Sequence, residues 1–153
     1  MIYGALPELC ASIAAANRHI TIETAATIYQ SVPCDLISIS PKLSSSAPRG
    51  ASAGWIHAHE HRRKRVDIIL RLMSEHAYQL KFVVDTTADA EEVLRFLDEL
   101  VDYDGQRVLL MPQGITTDAL DQQAQWLVPW CSDHHVRYCS RAHIHWYGNT
   151  RGT

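Results

Sequence analysis

Apolar residues recur along this chain with two periods, and the two periods alternate. Leu6, Leu9, Cys10 and Ile13 fall at helical spacing within residues 5–17, and Asn17 ends that run just before the β-rich stretch Ile20 to Thr24. After Pro33 the run from Asp35 to Ser40 reads as a second strand, closed by Pro41, which has no amide to give to a ladder. Residues 43–60 are treated as a flexible loop insertion, because Ser, Ala, Pro and Gly dominate from Leu43 to Gly54. Residues 59–76 place Val66, Ile69, Leu70 and Met73 on one side and charges on the other, which predicts an amphipathic helix. Leu80 to Val84 is the next strand. Thr87 to Val101 is a helix with Val93, Leu94, Leu97, Leu100 and Val101 as its apolar stripe and Asp89 in its first turn. A strand over 107–111 follows, then a helix capped by Thr116 or Thr117 and running to Cys131, then a last strand over 137–146.

Strands separated by helices at this rhythm need crossover connections, and crossovers build a parallel sheet covered by helices. The fold class is therefore α/β, and 153 residues, 46% of them apolar, make one domain over 1–153. A net charge of −3 supplies no basic excess for a phosphate backbone, so no nucleic-acid partner is expected. Four cysteines without a CxxC or CxxxCxxC spacing do not make a secreted disulfide framework. The start MIYGALPELC has no basic segment followed by an apolar run, and no stretch has the length of a membrane span. A cytoplasmic location with no membrane partner is the expectation.

In parallel sheets, ligands bind beyond the carboxyl ends of the strands. Read in order, those ends carry Glu23 and Thr24, then Ser40, Pro41 and Lys42, then Asp85, then Gln113 and Gly114. A carboxylate suits ribose hydroxyls, a hydroxyl with an ammonium suits a ligand carboxylate, and an amide with free backbone suits a purine edge. Taken singly, each of these residues also serves as a cap or turn former. Taken together they describe a zwitterionic nucleoside.

At these same positions the chain resembles a known family. TIET at 21–24, SISPK at 38–42, LKFVV at 80–84, LLMPQG at 109–114 and the ending WYGN are similar, in this order, to 7-carboxy-7-deazaguanine synthase, a radical S-adenosylmethionine enzyme of the route to queuosine and other 7-deazapurines. The resemblance implies a partial (β/α) barrel of the radical S-adenosylmethionine type, lacking its first strands. It implies conversion of a pterin, 6-carboxytetrahydropterin, to 7-carboxy-7-deazaguanine with release of ammonia, a 4Fe-4S iron–sulfur cluster that cleaves S-adenosylmethionine reductively, and an assisting magnesium ion (Mg2+). Carried over by motif, Ser40, Pro41 and Lys42 would hold S-adenosylmethionine, as would Gln113, Gly114, Ile115 and Thr116, with Glu23 on the ribose. The C-terminal residue of the family, here Thr153, would reach the substrate, and His143 and His145 approach the same tail.

The family's CxxxCxxC loop and GGEP-type strand end have no counterpart here, so the chain is expected to correspond to the C-terminal two thirds of the family, with no metal ligands of its own. Cys10 reads as a buried helix residue, and Cys131 and Cys139 bracket a turn. An in-frame cluster motif upstream of Met1 would make the chain a fragment of an active enzyme. An open sheet edge where strands are missing would also invite pairing, a homodimer included.

Two rival readings come from other residues. His57, His59 and His61, and again His143 and His145, have the spacing that sets ligands on one side of a strand, as in a metal hydrolase. A remnant or auxiliary chain that keeps the nucleoside pocket without catalysing is the other. Arg62 to Arg65 reads as a solvated charged face, and Trp55, Trp126, Trp130 and Trp146 as packing residues. Anaerobic reconstitution of this chain with iron and sulfide is expected to yield no stoichiometric cluster absorbance; a full complement of cluster would contradict the reading of its cysteines.

Overall fold

Four of the five expected strands form close to their expected bounds, because their residues alternate between two environments. The computed structural model describes residues 3–48 and 50–150. Helix α1 (Leu6–Ala15) starts with Pro7 in its first turn and ends where Asn17 adopts φ 53°. There the amide of Asn17 donates to Ala14 O (2.9 Å) and that of Arg18 to Ile13 O (3.3 Å), a left-handed C-terminal cap that turns the chain into β1 (Thr21–Thr24). An 11-residue connection, 25–35, leads to β2 (Leu36–Ile39), and Asp35 Oδ2 accepts the Ile20 amide at 2.7 Å, fixing the two strand starts together.

Helices α2 (Ala53–Arg63) and α3 (Val66–Glu75) precede β3 (Tyr78–Val84); α4 (Thr87–Leu97) precedes β4 (Val108–Pro112); α5 (Thr117–Asp133) precedes β5 (Arg137–Tyr138); α6 (Ala142–Tyr147) follows. The strands lie in the order β1-β2-β3-β4-β5, each parallel to its neighbour. The sheet is open, with β1 and β5 at its edges, and is a partial (β/α) barrel.

Strand β3 shows how the layers divide. Leu80, Phe82 and Val84 are fully buried, in register with Ile39, Val108 and Leu110 of the adjacent strands, and pack with Ile69 and Leu72 of α3, Val93, Phe96 and Leu97 of α4, and Leu127 of α5. Lys81 and Gln79 point to the opposite face, where Gln79 Nε2 donates to Ser38 Oγ (2.9 Å). Period-2 alternation thus separates an apolar face under the helices from a polar face opposite.

Three expectations are corrected. Residues 43–60 are not loop throughout: a 3-10 turn occupies Ser44–Ser46, and from Ala53 the chain is helical, capped by Ser52 accepting from the Trp55 amide. The helix expected over 59–76 is two helices, broken at Lys64 and Arg65, whose ψ angles of 62° and 67° leave the helical region. The strand expected over 137–146 ends at Tyr138, since 142–147 turn into α6. The last two changes matter for chemistry. His57, His59 and His61, and likewise His143 and His145, lie in helices, where residues two apart point to different sides instead of one. The α4 helix also stops before Val101, which is 70% exposed, while Phe96 takes a core place.

Phe82→Ala is expected to cost about 3–5 kcal/mol in urea unfolding, as removal of a fully buried ring does, whereas Val101→Ala should stay within about 0.5 kcal/mol.

Candidate nucleoside-binding site

Because all strands run the same way, their carboxyl ends share one rim, and backbone pairing continues just past the strands. The Ser40 amide donates to Thr24 O (2.7 Å), that of Gln113 to Val84 O (2.8 Å), and that of Cys139 to Leu110 O (2.8 Å). Ser40 and Gln113 are thereby held in fixed register on either side of β3. A cavity of about 440 Å³ opens at this rim, within the size range of small-molecule sites. Ser40, Pro41, Lys42 and Gln113 line it, together with Lys81, Asp85, Asp89 and Arg141.

The lining residues divide into those already engaged and those that are not. Asp89, almost fully buried, accepts the amides of Asp85 (2.8 Å) and Thr86 (3.1 Å), while Thr86 Oγ1 accepts the Asp89 amide, a capping box that starts α4. Gln123 Nε2 donates to Asp85 O (2.9 Å) and Oδ1 (3.2 Å), and its own carbonyl accepts the Trp126 indole N–H at 2.6 Å. Lys81 Nζ donates to Glu23 Oε1 at 2.8 Å, and Arg141 Nη1 donates to Gly114 O at 3.1 Å. Arg141 Nε is buried and has no partner among the described residues. Ser40 Oγ, Lys42 Nζ and the side-chain amide of Gln113 have no hydrogen bond or ion pair with another described residue, although the Gln113 backbone N–H is held by Val84 O. Three cations, Lys42, Lys81 and Arg141, and two carboxylates, Asp85 and Asp89, surround the space.

The other expected residues stand around this core of the site. Glu23 does not line the cavity; its side chain is 68% exposed and joins the site through Lys81. Gly114 lies over α5, where an added Cβ would sit 2.8 Å from Leu120 Cδ2, so the glycine permits that close approach. Ile115 is 57% exposed, and Thr116 is the cap of α5, its Oγ1 accepting the Ala119 amide. His143 is exposed, and His145 Nε2 stands 4.0 Å from Asp121 Oδ1; neither lines the cavity. Thr153 lies outside the described residues.

Sequence reasoning missed three participants. Lys81 carried a signal, its alternate position in LKFVV, and Arg141 stands just beyond the last strand. Arg63 carried none. Expected on a solvated face, it is 6% exposed and bonded to Glu60 and Glu92. Burial pushes its pKa down, but the Glu60 and Glu92 contacts outweigh this and the net shift is upward; Glu60 is correspondingly held below the usual carboxylate range by its bond to Arg63.

The described cysteines do not fit an iron–sulfur cluster. All four cysteines are free, with Cys10 buried in α1 and Cys131 buried in α5; burial pushes the Cys131 thiol up to about 11, far from thiolate at neutral pH. Among the described residues no three His, Cys, Asp or Glu side chains gather as a metal site. The cavity residues do fit a zwitterionic nucleoside such as S-adenosylmethionine: a hydroxyl, an ammonium and a side-chain amide face the cavity without partners among the described residues. No helix among the described residues is long and apolar enough to cross a membrane.

No family model matches the chain. It is 37% identical to the 7-carboxy-7-deazaguanine synthase of Rhodopirellula baltica over all of its own length and 60% of that protein. It is 34% identical to the enzyme of the same name from Halobacterium salinarum over 86% of the chain and 55% of the relative. The crystal structure of QueE from Escherichia coli superposes with a TM-score of 0.56 at 19% identity, over 89% of this chain and half of that one, and so shares its fold. The chain spans between half and two thirds of the length of the relatives it matches, and along that span it is similar to two 7-carboxy-7-deazaguanine synthases.

Proposed function

We propose that this chain is the S-adenosylmethionine-holding part of a 7-carboxy-7-deazaguanine synthase. The observation that carries the reading is the grouping of Ser40, Lys42 and Gln113 around one cavity, each with its side-chain polar group unengaged, beside Lys81, Asp85 and Asp89, which are bonded within the protein. Lys42 and Ser40 then take the methionyl carboxylate by a charge-assisted contact and a hydroxyl. Gln113, Gly114, Ile115 and Thr116 offer amide and backbone groups to the adenine edge. Glu23 meets the ribose, oriented by Lys81.

In a complete enzyme, S-adenosylmethionine would supply the carbon radical that removes a substrate hydrogen, once an iron–sulfur cluster had given it one electron. The reaction of the complete enzyme contracts the ring of 6-carboxytetrahydropterin to give 7-carboxy-7-deazaguanine and ammonia, a carbon–nitrogen lyase step in 7-deazapurine formation. The iron–sulfur cluster that accompanies it would take its ligands from thiols other than the four cysteines of this chain. His143, His145 and Thr153 are the proposed substrate contacts of the C-terminal segment. A cytoplasmic location and pairing through the open β1 edge, as in a homodimer, belong to the same reading.

A second reading is favoured by the cysteines, no three of which gather among the described residues: an auxiliary chain that binds S-adenosylmethionine without generating a radical. Calorimetric titration with S-adenosylmethionine tests what both share. Saturable binding is expected, and Lys42→Ala should weaken it about tenfold or more, the scale of one charged hydrogen bond of ~1.5 kcal/mol. No binding by the unmodified chain, or equal affinity in the variant, would overturn the assignment.

A further inference from the structure

The segment that carries Lys42 into the cavity has little regular structure of its own, a 3-10 turn over Ser44–Ser46 excepted, yet it is fastened by one ion-pair cluster centred on the buried Arg63. Arg63, at the end of α2, is 6% exposed and spreads its guanidinium over three acceptors. Nη1 donates to Lys42 O (3.2 Å) and to Glu92 Oε1 (2.7 Å). Nε and Nη2 form a two-pronged contact with Glu60, at 2.7 and 2.5 Å. Glu92, on α4, in turn accepts the Ser44 amide (3.0 Å to Oε1) and the Ser44 hydroxyl (2.5 Å to Oε2). Ser46 Oγ donates to Leu43 O (2.6 Å) and lies 3.0 Å from His59 Nε2, which belongs to α2 as well.

We propose that Arg63 is a positioning residue for the ligand-facing segment Lys42–Ser46, setting where Lys42 and Ser46 stand in the cavity through the Lys42 carbonyl and through Glu92 and Ser44. Arg63 itself does not line the cavity. Its planar fork is what allows one side chain to serve a backbone carbonyl and two carboxylates at once; a lysine ammonium has no such fixed geometry. The cluster also joins residues of β2's exit, α2 and α4 that are far apart in sequence, so the backbone of the segment depends on side chains from two other elements. The ligand is the one in the proposed function, on which this inference rests for its affinity arm alone.

The test uses Arg63→Met, Arg63→Lys and Glu92→Gln, with amide hydrogen exchange and S-adenosylmethionine calorimetry well below the unfolding temperature. In Arg63→Met, exchange at Ser44 and Ser46 should rise at least tenfold while Leu80–Val84 stays protected, and affinity should fall about tenfold; Arg63→Lys should restore part of both. Glu92→Gln keeps the side-chain shape and should loosen Ser44 in the same selective way, which decides the matter if Arg63→Met does not fold. Unchanged exchange at Ser44 and Ser46, or a rise spread equally over the sheet, would overturn the positioning role. Should the unmodified chain fail to bind S-adenosylmethionine, the proposed function falls, and the exchange measurement still decides whether Arg63 holds the segment.

Discussion

Strand β3 is paired on both sides, to β2 through Leu80 and its neighbours and to β4 along Leu80 to Val84. That double pairing fixes which side chains can be buried. Leu80, Phe82 and Val84 lie under the helices with no exposure, each contributing on the order of 1.5–3 kcal/mol of burial. A slip of one residue would exchange them for Gln79, Lys81 and Val83 and drive an ammonium into the core, so the register is strongly specified. The same register sends Lys81 to the opposite face, where it reaches across β2 to Glu23 on β1. Parallel direction then does the rest, gathering the residues that follow β2, β3 and β4 at one rim.

Around that rim the chain spends some polar groups on its own structure and leaves others open. Asp89 caps α4, Asp85 holds Gln123, and Arg141 braces Gly114. These contacts make the walls rigid. Ser40, Lys42 and Gln113 are carried on those walls without such duties, which is the arrangement expected where a ligand supplies the missing partners. The Arg63 cluster extends the same logic one layer outward, since it fixes backbone instead of facing the cavity.

Much of the sheet could be read from the residues, because β1 to β4 alternate or run apolar between turn formers, and their ends then located Ser40, Lys42, Asp85 and Gln113. The Thr116 cap was legible for the same local reason: a hydroxyl just before a helical run. Legibility failed where partners come from far away in sequence. Arg63 sits in a run of four cations that looks solvated, and only the meeting of α2 with α4 reveals Glu92 beside it. The last strand was overextended because His143, Ile144, His145 and Trp146 alternate like a strand, whereas tertiary context winds them into α6 with only Ile144 buried. Periodicity over so few residues cannot separate the two. The resemblance to 7-carboxy-7-deazaguanine synthase adds what periodicity cannot, the expectation that SPK and MPQG face one ligand; the chain is similar to two such enzymes over 100% and 86% of its length.

The central claim is that the rim beyond β2 to β4 holds a nucleoside, and ligand-induced backbone amide shifts in an NMR titration with S-adenosylmethionine test it most directly. The account predicts saturable shifts concentrated at Ser40, Lys42, Lys81, Asp85, Gln113, Gly114 and Arg141, with α1 and the helical face of the sheet unmoved. Shifts centred instead on the groove beside Ile22, Ile28 and Leu72, or none at all, would contradict it.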